Sequence, residues 1–303
     1  MEPHRELGDF LRSRRARLTP DAADLAPGPG ARRVPGLRRE EVALLAGVST
    51  DYYTRLEQGR HPHVSEAVLT SVAHALRLDD DERDYLFALA RPRPAGPRRR
   101  RTPRAERARP AVHRMLDVLG EVTPALVTNH RQQVIGSNRL ARALITDFDA
   151  LPYRERNFAR FVLLDPAARD RYENWDEVAE TVVANLRLVA ARHPDDARFN
   201  ELIGEFLVKV PEFRAWWDTH RVAQCAHGEQ HFRHPTVGRL TLHHETLAFP
   251  ADPDQALCLY TAEAGTPSAE ALALLASWSA PAAAVPAPAP ASAPAPTRKE
   301  ERR

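Results

Sequence analysis

Cys225, His227, His231, His234, His243 and His244 fall close together in the chain, and imidazole and thiolate are usual metal ligands. His227 and His231 stand four apart, a spacing that chelates only from a helix. Gly228 and Pro235 predict a loop there, so no metal site is expected. The histidines of "HHETL" have the wrong spacing for a metallohydrolase and sit in an apparent strand. The sequence contains no G-x-S-x-G elbow, phosphate-cradling glycine loop or H-E-x-x-H. No catalytic residue is assigned and no enzyme is expected. A second group of candidates lies in "RREEVALLAGVSTDYYTRLEQGR", residues 38–60. There an apolar-periodic helix turns a Gly-Val-Ser corner into a helix that carries Tyr, Thr, Arg and Gln outward.

Elements able to position such groups must come from a chain of 303 residues and 33.9 kDa, long enough for two domains and flexible segments. Apolar residues make up 43% of it, yet no run approaches the roughly 18 uncharged apolar residues of a membrane helix. The N-terminus has no apolar signal region, and two cysteines make no disulfide framework. These features predict a cytoplasmic protein, and the bias to Arg, Ala and Pro predicts a GC-rich bacterial source. Net charge is +2, but residues 1–104 carry 20 arginines against 15 acidic side chains. This basic front part predicts that it meets a polyanion.

Leu7, Phe10, Leu11 and Leu18 are spaced for a first helix, followed by a Pro/Gly/Arg-rich loop over 18–37. Helices follow from about Arg38 to Ala46 and from Thr50 to Gln58, the latter stopped by Gly59. A fourth is capped by Ser65, and a fifth opens on the acidic "DDDERD" and ends near Ala90. Residues 91–107 read as a basic, Pro-rich linker, either a solvated hinge or a clamp on a polyanion backbone. Over 108–279 helical and strand patterns mix as an α+β domain. Two strands flank the turn in "PALVTNHRQQVIGSN", and "GRLTLHHETLAF" with "ALCLYTA" predicts an antiparallel pair. Helices are expected over "WDEVAETVVANLRLVAARH", with one stripe of Val178, Val182, Leu186 and Val189, and over "NELIGEFLVKVPEFRAWWDTH", broken at Pro211. Residues 280–303 form a Pro/Ala-rich tail expected to be disordered.

The corner in residues 38–60 meets the requirements of a helix-turn-helix at fixed offsets. Ala43 is the small contact, Gly47 the turn residue, and Val48, Tyr53 and Leu56 lock the pair. From Glu6 to about Ala90 the chain resembles the xenobiotic-response-element class of bacterial DNA-binding domains. That resemblance implies an all-α five-helix domain whose third helix enters the major groove of double-stranded operator DNA. Ser49, Thr50, Asp51, Thr54, Arg55 and Gln58 are then the candidate contacts, with Arg55 suited to guanine, Gln58 to adenine and Asp51 to cytosine. Arg38 and Arg39 stand where the family places phosphate contacts. Arg15 and Glu57 occupy positions that often form an ion pair in relatives, while the long loop at 18–37 departs from the pattern.

Over most of 108–279, "VIGSNRLARAL", "HPTVGRLTLHHETLAFP" and "LYTAEAGTPSAEALALLASW" are similar to the MmyB-like ligand-binding domain. The resemblance implies a PAS-like sheet with helices across one side and an apolar cavity for a fatty-acid-like or other hydrophobic effector. It departs at Ser137, where relatives more often have an aromatic. Phe158, Phe161, Trp175, Phe206, Phe213, Trp216, Trp217 and Tyr260 are candidate cavity aromatics, although large aromatics at helical spacing chiefly build cores. Arg214 and His220 are candidate partners for a ligand carboxylate, or else helix-end surface groups. The combined expectation is a homodimeric, cytoplasmic, nucleoid-associated transcriptional regulator without a tightly held cofactor, whose operator affinity a hydrophobic molecule modulates. The alternative is a DNA-binding regulator whose second domain serves only dimerisation or partner contact.

Overall fold

The computed structural model describes residues 3–25, 35–60, 63–90, 107–120, 122–224 and 226–280. Most of the expected linker at 91–107 and nearly all of the tail at 280–303 lie outside these residues. Among the described residues, no helix is long and apolar enough to cross a membrane.

The N-terminal part contains α1 (Pro3–Arg17), α2 (Arg39–Leu45), α3 (Thr50–Glu57), α4 (Glu66–Ala75) and α5 (Asp80–Ala90). Leu7, Phe10 and Leu11 bury the expected stripe of α1 among Val42, Tyr53, Leu56, Leu69, Leu86 and neighbouring residues. Each fully buried large apolar side chain contributes about 1.5–3 kcal/mol, which offsets the weak intrinsic stability of helices this short. Ser49 and Ser65 cap α3 and α4 by accepting bonds from Tyr52 and Val68 backbone N–H groups. Gly47, at φ +66°, turns the chain between α2 and α3 in the left-handed region that costs glycine least.

The C-terminal part begins with α6 (Pro110–Leu119), β1 (Ala125–Asn129) and β2 (Val134–Ser137). Six helices follow: α7 (Arg139–Leu144), α8 (Phe158–Leu164), α9 (Pro166–Arg171), α10 (Trp175–Arg192), α11 (Ala197–Lys209) and α12 (Phe213–Asp218). The chain then runs through β3 (His227–His234), β4 (Gly238–Phe249), β5 (Asp252–Thr261) and α13 (Pro267–Trp278). The strands form one antiparallel PAS-like sheet in the order β2-β1-β5-β4-β3. Strand alternation divides its faces. Ala125, Val127 and Leu257 pack with α6, whereas Leu126, Phe232, Leu240, Leu242 and Tyr260 join the larger core built by the other helices.

The break at Pro211 and the β4–β5 pair are as expected, but the loop expected around Gly228 is strand β3, paired along its length with β4. Four residues along a strand span about 13 Å, so His227 and His231 cannot chelate one ion together. His231 instead contacts Glu229 and Thr241, and His234 Nε2 lies 2.9 Å from the Ala143 carbonyl. Among the described residues, no three His, Cys, Asp or Glu side chains form a metal set.

α10 departs from its expected single stripe. Ala184, Arg187 and Leu188 are buried as well as Val178, Val182 and Leu186, because the helix has the sheet domain on one side and the N-terminal helices on the other. Leu188 and Val222 belong to the hydrophobic core of the N-terminal helices. Beside them, Tyr85 Oη donates to Glu6 (2.9 Å), and Arg187 donates to the same carboxylate, to Tyr85 Oη (3.2 Å) and to the Trp217 carbonyl. Burial pulls the Arg187 guanidinium down to about 10, but its partners keep it charged at neutral pH.

Candidate nucleic-acid interface and small-molecule cavity

On α3 the inward positions Tyr53, Leu56 and Glu57 are buried, leaving Thr50, Asp51, Arg55 and Gln58 exposed and Thr54 half-buried on the outer face. Ser49 is exposed at the helix start, with its hydroxyl engaged as the cap. All six expected contact residues of this segment therefore share one surface. Arg55 and Asp51 pair across one helical turn at 2.7 Å, an exposed bridge of little net worth that can open when either group finds a base edge.

The Glu57 side chain, fully buried, anchors this surface. Arg15 reaches it through Nε at 2.8 Å and Nη2 at 3.0 Å, which is the expected pair. Arg39 also donates to it, through Nε at 3.0 Å and Nη2 at 2.9 Å. Burial alone would raise the Glu57 carboxyl, but the bonds from Arg15 and Arg39 hold it below its ordinary value. Arg39, expected at a phosphate, thus also holds α2 to α3 through Glu57 while its side chain stays partly exposed. Arg38, half-buried at the start of α2, donates its backbone N–H to Glu41 at 2.6 Å, and its guanidinium bonds weakly to Glu40 at 3.5 Å.

The second site is a cleft of about 1060 Å³ between α10 and the inner face of the sheet, at the upper end of ordinary small-molecule sites. Three cross-strand rows form its floor: Gly228–His244–Tyr260, Thr246–Cys258–Leu126 and Ala248–Ala256–Thr128. The space exists because small side chains occupy most of these inward positions. A Cβ on Gly228 would lie 2.9 Å from His244 Cε1, so only glycine lets that imidazole lie across the strand without displacement. Val178, Thr181, Val182, Asn185, Leu188 and Val189 of α10 form the roof.

One end of the cleft is polar. Gln132 donates to Asn185 at 2.8 Å, His130 stacks on His193 at 4.3 Å, and both His130 (2.8 Å) and Arg131 (2.7 Å) contact Asp196. Burial would raise Asp196, but hydrogen bonds from His130 and Arg131 hold it at about 2. Burial lowers His244 and, together with His130, His193, so both favour the neutral form; burial also pushes the Cys258 thiol up to about 11. His130 Nδ1 and Gln230 Oε1 are buried on these walls without a hydrogen-bond partner among the described residues.

Of the expected ligand contacts, Phe158 and Tyr260 line this cleft, while Phe206, Phe213 and Trp216 belong to or pack on the core. Phe161 and Trp175 are core, with Trp175 Nε1 donating to the Val162 carbonyl. Trp217 stacks on Phe213 and lies under Arg187, and His220 sits beside Arg187 and Glu6 where the two parts of the chain meet. Arg214 is exposed. Phe161, Trp175, Trp217, His220 and Arg214 lie outside this cleft: the aromatics take the core role the sequence also allowed them and Arg214 the surface one, because large aromatics fill space and the cleft opens where side chains are small. Ser137 is also absent from its lining.

Residues 108–275 match the family of the MmyB-like transcription regulator ligand binding domain. The chain belongs to this family. Residues 6–86 of the regulator match a helix-turn-helix domain, so a DNA-binding module precedes a ligand-binding one in a transcription regulator. Both matches are to families of transcription regulators, not of enzymes. No curated protein matches the regulator.

Proposed function

We propose that the regulator recognises operator DNA with the outer face of α3 and changes its operator affinity when a small amphiphile occupies the cleft under α10. The observation that carries this reading is the cleft itself: about 1060 Å³ with a small-residue floor and buried polar atoms left unpartnered on its walls. Buried polar groups nearly always find partners, so these atoms favour a ligand with hydrogen-bonding groups beside its apolar body. A homodimer would present two α3 helices to half-sites about one turn of DNA apart.

Charge narrows the ligand class. Among the described residues the lining includes the carboxylates Asp84, Glu177, Asp195, Asp196, Glu229 and Asp254, against one guanidinium, Arg192. Arg192 is already 2.9 Å from Asp84. Among the described residues a fatty-acid carboxylate would meet no spare guanidinium here, so the favoured effector is hydrophobic with a neutral or cationic polar end.

Native mass spectrometry of the full-length protein, before and after organic extraction, tests this reading. A dimer carrying a neutral or cationic amphiphile that Ala256→Trp no longer retains is the expected result. An empty cleft that neither decylamine nor decanol stabilises would overturn the effector reading in favour of a domain used for dimerisation or partner contact. Binding of decanoate in preference to decylamine would overturn the assigned head group.

A further inference from the structure

The ligand-binding family match begins at residue 108, yet the cleft is also walled by Asp84, Phe87 and Ala88 of α5, the last helix of the N-terminal bundle. We infer that α5 is part of the effector site, so that a bound molecule touches the DNA-binding module directly. This inference rests on the reading of the cleft as a ligand site. It adds three contact residues and a route for regulation.

α5 is joined to α10 by contacts of different kinds. Asp84 pairs with Arg192 at the cleft rim, and Tyr85 shares the buried Glu6–Arg187 network one residue along. Leu188 of α10 lines the cleft and is also part of the N-terminal hydrophobic core. A ligand that presses on Leu188 and Phe87 therefore acts on the packing between the two helices.

From α5 the contact continues to the reading surface through rigid elements. α5 packs on α1, Phe10 meets Tyr85 edge-on at 4.9 Å, and Arg15 of α1 holds Glu57 at the end of α3. Closely packed interfaces respond by shifting between arrangements more readily than by stretching. An effector that favours one α5–α10 packing changes how α3 is presented, and DNA bound to that arrangement favours the effector in return.

Nile red, a neutral dye that brightens in apolar surroundings, is a suitable probe for titration of the full-length protein. Phe87→Ala should weaken dye binding about tenfold, as expected for loss of a buried aromatic contact, and Ala256→Trp should abolish it. Amide exchange of the wild-type protein provides a measurement independent of any variant: saturation with dye should slow exchange across 80–90 as well as in α10. Unchanged affinity in Phe87→Ala together with protection confined to α10 and the sheet would overturn the role of α5 and leave the cleft reading intact. Failure of the wild-type protein to bind dye, or binding by Ala256→Trp as strong as wild type, would overturn the cleft reading and this inference with it.

Discussion

The outer face of α3 and the cleft under α10 are built in opposite ways. The α3 face lies within one short segment: helical periodicity places Thr50, Asp51, Thr54, Arg55 and Gln58 together, and Ser49 caps the helix that carries them. The cleft takes its floor from four strands, its roof from α10 and part of its wall from α5, which precedes the family-matched domain. A site on one helix can be altered one side chain at a time with local effect. A cleft between packed elements transmits a local change to everything that packs on it, as an effector site in a regulator requires.

The largest test of this contrast is Ala256→Trp. It should remove measurable effector binding while operator binding in the absence of effector persists, as read by fluorescence anisotropy on a duplex selected from random sequences. Loss of both together would show that the two sites are not separable. Next in size, Glu57→Gln should lower stability by about 3 kcal/mol in urea unfolding, because Arg15 and Arg39 lose a buried partner. The native Glu57 carboxyl is held below its ordinary value by its two arginine partners. Its contribution is therefore present above the unfolded carboxyl range and lost as pH falls through the folded value, so the variant and wild type should converge in acid.

Arg55→Ala should cost about 1–3 kcal/mol at one base position and relax sequence choice there, measured on operators substituted base by base. Arg38→Ala should instead weaken all duplexes alike and flatten the salt dependence. If Arg39→Ala behaves in the same way with no loss of stability, the Glu57 anchor described above is wrong. The smallest effect is expected from Gly228→Ala, at about 1 kcal/mol of stability. It should also weaken effector binding severalfold, because His244 must swing aside for a methyl group at 2.9 Å.

Several errors of sequence reading share one physical origin. Strand β3, "HGEQHFRH", buries only Phe232 and His234, so its polar sequence hides the pairing that β4 imposes. Trp175 and Trp217 are large enough to fill space and are therefore core, not cavity lining. The available signal was the reverse one: small inward residues at alternate positions, Thr246 and Ala248 in β4, Ala256 and Cys258 in β5.

What the sequence by itself determined is local: the caps at Ser49 and Ser65, the corner at Gly47, the break at Pro211 and the shared outer face of α3. Helical periodicity and turn chemistry act over a few residues and can be read without knowing what packs where. Only the tertiary structure decided that α10 is buried on a second side, that Arg39 binds Glu57, and that α5 closes the cleft. Those facts depend on which distant surfaces meet, and burial and charge pairing between distant segments leave no periodic trace in the chain.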